Sequence, residues 1–229
     1  MAVKGTFIQR LVRRVFYTYY ARNLLFELQV RARADSADYV EANMADATVF
    51  ENGDDFRLHC LKRAPEGAIL EFGVAGGHSI TVLANASPGK MVHGFDSFEG
   101  LPEDWSGHLE QKGAFTQKGR LPKVPANARL HPGWFKDTIP RWLAEDPSKI
   151  GFLHVDCDIY SSTRDILWGL RERLQAGTII VFDEYFNYPN WRGHEFKALQ
   201  EFKAEFGIAY RYISFTALGG SVAIEVVSL

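Results

Sequence analysis

From residue 66 onward, short apolar runs alternate with stretches whose apolar positions recur at helical spacing. Ala68–Phe72, Met91–Phe95, Ala128–His131, Phe152–Val155 and Thr178–Phe182 are brief and apolar, and they read as strands. Between them, Ser79–Asn85, Lys136–Glu145 and Ser161–Leu174 read as helices; in the last, Ile166, Leu167, Leu170 and Leu174 share one stripe. Glu195–Phe206 follows with Phe196, Leu199, Phe202 and Phe206 on one face. Such alternation sets the strands parallel and covers both faces of the sheet with helices. The pattern then changes. Ala209–Phe215 and Val222–Val227 are β-rich, and Ala217-Leu218-Gly219-Gly220 between them is too short for a crossover helix. They predict an antiparallel hairpin. The expected fold is therefore α/β, a mostly parallel sheet with an antiparallel C-terminal hairpin.

The N-terminal region reads differently. Residues 1–33 hold seven basic side chains (Lys4, Arg10, Arg13, Arg14, Arg22, Arg31, Arg33) and one acid, Glu27, interleaved with Phe7, Ile8, Leu11, Val12, Val15, Phe16 and Leu24–Phe26. The apolar positions are too interrupted for a secretory signal, and no stretch approaches the length of a membrane span. One or two amphipathic helices are predicted. The first reading is a cap over residues 1–65, packed on the domain or on a second subunit and bordering an acceptor, with residues 66–229 as the α/β domain. The second reading is a basic helix on an anionic membrane. Composition adds limits. With 229 residues, 46% hydrophobic and 24% charged, the chain suits one ordered domain rather than a disordered one. Near-balance of 26 basic and 28 acidic residues gives no support to nucleic-acid binding. Cys60 and Cys157 make no disulfide framework and fit a reducing, cytoplasmic setting.

In an open α/β sheet, ligands bind beyond the carboxyl ends of the strands. After the first strand stands Glu71-Phe72-Gly73-Val74-Ala75-Gly76-Gly77-His78-Ser79. It is neither a full dinucleotide fingerprint nor a phosphate loop. Three glycines beside a buried acid nevertheless favour a ligand over a plain turn. Asp96 ends the second strand, where a carboxylate can accept two hydrogen bonds from a ribose diol; the alternative is a cap on the next turn. Trp134 follows the third strand and suits either a purine edge or the core. The glycine- and proline-rich connection from Ser97 to Ala126 is long enough to border the ligand site. Asp156 and Asp158 follow the fourth strand, and Asp183 and Glu184 the fifth. If these strands are neighbours, Asp156, Asp183 and Glu184 converge, and their repulsion is relieved by raised pKa values or by a cation. Oxygen ligands select a hard ion such as Mg2+. The alternative gives one of these acids to helix capping.

The chain from Leu70 onward resembles class I S-adenosylmethionine-dependent methyltransferases, and within them the macrocin O-methyltransferase-like family acting on sugar hydroxyls. The resemblance rests on Glu71-Phe72-Gly73-Val74, Gly94-Phe95-Asp96-Ser97-Phe98-Glu99-Gly100-Leu101-Pro102, Asp156-Cys157-Asp158-Ile159-Tyr160-Ser161-Ser162-Thr163 and Asp183-Glu184-Tyr185. It implies a Rossmann-like, seven-stranded sheet whose seventh strand inserts antiparallel between the fifth and sixth. It implies that Glu71, Gly73, Gly76 and Ser79 hold the methionine moiety of S-adenosylmethionine, Asp96 the ribose, and Ser97, Phe98 and Trp134 the adenosine. Asp156, Asp183 and Glu184 would bind Mg2+. Asp156, Asp158 and His194 are the candidate bases, in that order. The chain departs from the family at Glu184, where Asp is usual, and at Cys157 and Ile159, where Gly and Trp are usual. The implied function is Mg2+-dependent methylation of a hydroxyl on a sugar, phenolic or other small natural-product acceptor, with homo-oligomerisation through the N-terminal region. The alternatives are an NAD(P)-dependent oxidoreductase, which shares Asp96 and the glycine turn, and a non-catalytic cofactor-binding assembly protein.

Overall fold

A computed structural model describes residues 6–229; Lys4 and the first few positions of the expected cap lie outside the described residues. The elements in chain order are α1 (Phe7–Phe16), α2 (Leu24–Asn43), β1 (Thr48–Phe50), α3 (Gly53–Arg63), β2 (Ala68–Phe72), α4 (His78–Asn85), β3 (Val92–Asp96), β4 (Ala128–Pro132), α5 (Phe135–Glu145), β5 (Ile150–Val155), α6 (Tyr160–Leu170), β6 (Ile179–Phe182), α7 (Glu195–Phe206), β7 (Ala209–Thr216) and β8 (Val222–Ser228). A π-helical turn at Tyr17–Ala21 links α1 to α2.

The strands form one sheet in the order β1-β7-β8-β6-β5-β2-β3-β4. β8 runs antiparallel to both β6 and β7, and all other pairs are parallel. The predicted hairpin and its insertion are present. The eighth strand is β1, which the sequence pattern does not reveal: three residues, Thr-Val-Phe, carry too little periodicity to stand out. β1 and α3 both fall within residues 1–65, the expected cap, yet β1 extends the sheet at its β7 edge.

Side-chain alternation along the buried strands divides the interior in two. Leu70, Phe72, Leu153, Val155, Ile180 and Phe182 point to the face covered by α5, α6 and α7. Ile69, Phe152, Ile179 and Val181 point to the opposite face, where Phe56 and Cys60 of α3 and Ile80 and Leu83 of α4 cover them. Burial on both sides explains why these strands read as continuous apolar runs. Helix ends follow local chemistry. Asn52 caps α3 by accepting from the Asp55 N–H at 2.8 Å, with Asp54 and Asp55 in the first turn and Lys62 and Arg63 in the last. α7 stops at Gly207, which is left-handed at φ 71°. Cys60 and Cys157 are free and buried. Among the described residues, no helix is long and apolar enough to cross a membrane.

Candidate active site

β2, β3, β5 and β6 end on one rim, and a cavity of about 770 Å³ opens there. Gly73 leaves β2 at φ 96°, and a Cβ at this position would stand 1.7 Å from the Asp156 carbonyl oxygen. Only glycine lets the bend pass so close to β5. The bend is closed by Asp96: its Oδ2 accepts the N–H groups of Val74 (2.8 Å) and Ala75 (2.7 Å), and its Oδ1 that of Phe98 (2.6 Å). An ionised carboxylate has about four lone-pair sites. Three are thus engaged by backbone, so Asp96 builds the loop while also lining the cavity.

Of the residues expected to hold the methyl donor, Gly73, Asp96, Ser97 and Trp134 line this cavity. Glu71, Gly76, Ser79 and Phe98 are not among its lining residues. Glu71 is wholly buried behind the glycine bend, with Oε1 accepting from Ser79 Oγ (3.1 Å) and Oε2 facing His154 Nδ1 (3.1 Å). Phe98 packs into the core face beneath α3 and α4. The long connection borders the cavity as predicted, through Gly100, Leu101, Pro102, Trp105, His108, Glu110, Lys112 and Phe115.

On the acid side, Asp156, Asp158 and Glu184 line the cavity. β5 and β6 are neighbours, and Asp156 and Asp183 do meet. The third group within 4.8 Å of both is His154 rather than Glu184. His154 lies opposite Glu71 in the β2–β5 register and spans from Glu71 to Asp183 Oδ1, 3.5 Å from its Nε2. Burial opposes its charge, but the carboxylates of Asp183 and Glu71 overcome that and lift it to about 10. With Nδ1 facing Glu71 and Nε2 facing Asp183, His154 is placed to donate to both carboxylates.

A second cation comes from outside the expected catalytic domain. Arg57, on α3, donates Nη1–H to Asp183 Oδ1 at 3.0 Å and Nη2–H to Asp54 at 2.8 Å. Ser221 Oγ adds a third contact to Asp183 Oδ1 at 3.2 Å. Burial raises the Asp183 pKa, but His154, Arg57 and Ser221 outweigh it, so Asp183 stays below the usual carboxylate range. Among the described residues, the other acids have no hydrogen-bonded cation. Burial, then the Asp183 charge, lifts Asp156 well above its ordinary value and Asp158 to about 7. Glu184 is pushed up to about 8 by burial and by Asp183 and Asp158. Glu195, fully buried at the start of α7, accepts the Glu184 N–H at 3.1 Å and leaves Oε1 with no partner.

Arg57 and His154 are thus two cations beside Glu71, Asp183 and Asp156, and Asp158 and Glu184 have no cation of their own. Asp156 against Asp183, with Asp158 and Glu184 on the same cavity, offers the mutually repelling oxygen donors that fit a hard divalent cation. His194 is elsewhere: it is buried, its Nε2–H donates to the Ser106 carbonyl (2.8 Å), its Nδ1 has no partner, and it does not line the cavity. Neither His154 nor Arg57 is among the residues that the sequence singles out. A polar residue inside the apolar run Phe152–Val155 is a signal for the first. Arg57 carried none, because its partner Asp183 lies 126 residues away.

Residues 70–185, half of the chain, match the sequence profile of a family described as a methyltransferase domain. The chain belongs to this methyltransferase family. The dinucleotide oxidoreductase alternative falls with that match. The chain is 33% identical to 8-demethyl-8-(2,3-dimethoxy-alpha-L-rhamnosyl)-tetracenomycin-C 4'-O-methyltransferase of Streptomyces olivaceus, across 52% of this chain and 53% of that protein. It is 34% identical to demethyldecarbamoylnovobiocin O-methyltransferase of Streptomyces niveus, across 38% and 30%. It thus spans about half the length, or less, of these curated relatives. Among solved structures it shares its fold with the calicheamicin methyltransferase CalS11 (TM-score 0.59, 23% identity, 95% of this chain and 90% of that one). The O-methyltransferase NovP is similar in fold (TM-score 0.57, 22% identity, 77% and 79%).

Proposed function

We propose that this methyltransferase moves a methyl group from S-adenosylmethionine to a hydroxyl of a sugar or other small natural-product acceptor, with Mg2+ at the acidic rim. One observation carries the reading. A single cavity is lined on one side by the Gly73–Ala75 bend, Asp96 and Trp134, and on the other by Asp156, Asp158 and Glu184. The names of the relatives, tetracenomycin and novobiocin O-methyltransferases, support the acceptor class.

The reaction is an in-line displacement: the bond from methyl carbon to sulfonium sulfur breaks as the bond to the acceptor oxygen forms, and the hydroxyl proton leaves. A sulfonium is already a good leaving group, so alignment and proton removal remain. Alignment can supply about 7–11 kcal/mol of such a barrier. Here the glycine bend brings backbone against the donor, Asp96 offers its remaining lone pair to the ribose, and Trp134 flanks the adenine. Asp156 and Asp183, whose carboxylates meet, are the residues that would hold Mg2+, with Glu184 on the wall of the same cavity and Asp183 kept ionised by Arg57, His154 and Ser221. When bound, the ion supplies Lewis acidity that lowers the pKa of an acceptor hydroxyl. Asp158, facing the cavity without a hydrogen-bond partner among the described residues, takes the proton.

The test is thermal shift with S-adenosylmethionine, S-adenosylhomocysteine and NAD(P), with and without Mg2+, followed by turnover on glycosylated and phenolic acceptors. Stabilisation by the first two alone and a mass gain of one methyl on a glycosylated acceptor are expected. Stabilisation by NAD(P) alone overturns the reading. Asp183→Asn should lower kcat roughly 100-fold or more and abolish the Mg2+ response, while S-adenosylhomocysteine affinity by calorimetry stays nearly unchanged.

A further inference from the structure

α1 and the start of α2 form an arm that the rest of the chain does not cover. From Thr6 to Leu28 every residue except Asn23 is exposed, and Phe7 (75%), Ile8 (70%) and Leu24 (78%) stand almost free. No residue of α1 is buried. The arm is rooted by the second half of α2: Ala32 and Ser36 are buried, Ser36 Oγ accepts the Asn187 N–H (2.9 Å), and Arg192 pairs with Asp35 (2.8 Å). That root lies on the segment just beyond Asp183 and Glu184, at the rim of the active site.

The faces of α1 are fully segregated. At about 100° per residue, Phe7, Ile8, Leu11, Val12, Val15 and Phe16 occupy roughly half the circumference, and Gln9, Arg10, Arg13 and Arg14 occupy the other half. A half-cylinder is wider than the narrow seam that one helix offers another. The charges are one-sided as well. No acid precedes Glu27, and Arg10, Arg13 and Arg14 make no ion pair among the described residues. Two such helices meeting around a two-fold axis would bring arginine rims of like charge together. An anionic lipid surface satisfies both faces at once: the acyl boundary takes the apolar half and the headgroups take the guanidinium groups. Tyr17, Tyr19 and Tyr20, all exposed, carry ring and hydroxyl suited to the headgroup level.

We infer that the arm docks this methyltransferase on an anionic membrane surface, with α1 lying in the plane of the headgroups. The inference stands independently of the acceptor and the metal. The experiment is co-sedimentation of the full chain with phosphatidylcholine vesicles and with vesicles that also contain phosphatidylglycerol. Binding should be several-fold stronger to the anionic vesicles and should fall when salt is raised to about 0.5 M. The triple variant Arg10→Gln/Arg13→Gln/Arg14→Gln should weaken binding to anionic vesicles at least about tenfold. The double variant Ile8→Ser/Val12→Ser should weaken binding to every vesicle. Both variants alter exposed positions only, and an unchanged melting temperature shows that each is folded. Equal binding to both vesicle types, no binding to either, or wild-type binding by the arginine variant overturns the inference. So does a dimer, seen by light scattering, that dissociates in the Ile8/Val12 variant while vesicles recruit nothing; a second copy of the chain would then be the partner.

Discussion

At the scale of single residues, Gly73 shows most directly how backbone geometry becomes chemistry. The 1.7 Å that a Cβ would leave to the Asp156 carbonyl oxygen permits no side chain without moving β2 away from β5. Gly73→Ala should therefore cost about 3 kcal/mol or more of stability in urea unfolding, and donor binding should fail with it. Asp158 makes the complementary case. Burial and the Asp183 charge place it at about 7, where a base is half ionised at neutral pH. Asp158→Asn should lower kcat by about 100–10,000-fold with little change in melting temperature, and the wild-type rate should climb with pH through about 7 in a pH–rate profile. Asp96 was legible as an acid at a strand end, but its work on the glycine loop was not. Which backbone N–H groups turn toward a carboxylate depends on the bend at Gly73, and the sequence does not state that angle.

At the scale of elements, the parallel core was readable because its strands are buried on both faces and leave uninterrupted apolar runs. The hairpin was readable because a four-residue link excludes a crossover. β1 and α3 were not. Three residues of strand have no period, and α3 is amphipathic in the same way as a surface cap. Yet α3, lying on the sheet face, delivers Arg57 to Asp183, and that contact joins the N-terminal region to the acidic rim. Arg57→Met removes one partner from a buried ion pair and leaves Asp183 with less support. A loss of about 3–5 kcal/mol is expected by denaturant unfolding. Isothermal titration should also show tighter Mg2+ binding per folded molecule, because one competing cation is gone.

For the whole molecule, the uncompensated acids set a pH dependence. Asp158 at about 7 and Glu184 at about 8 lie above the roughly 3.9 and 4.3 of an unfolded chain. The folded protein keeps protons that the unfolded chain has already released, so this stabilisation is full below about 4 and is gone once pH has passed about 7 for Asp158 and about 8 for Glu184. His154 acts in the same sense: at about 10 when folded, it contributes fully below about 6.5 and nothing beyond 10. Asp183 is ionised in both states across this range and adds no slope. In chelator, calorimetric stability should fall from pH 7 to pH 9 by up to about 1.4 kcal/mol per pH unit for each group titrating. Mg2+ should restore more of it at pH 9 than at pH 6, because only ionised carboxylates ligate well.

The placement of β8 bears on how the enzyme comes into being. Residues 222–228 are wedged between β6 and β7, and the turn just before them gives Asp183 its serine and Tyr185 its carbonyl partner at Gly220. A nascent chain still lacking this segment has β6 as a raw edge and Asp183 without one of its three partners. The chain must therefore be made past Val222 before the rim can assemble, and loss of the segment from Ser221 onward would take from Asp183 its hydroxyl partner.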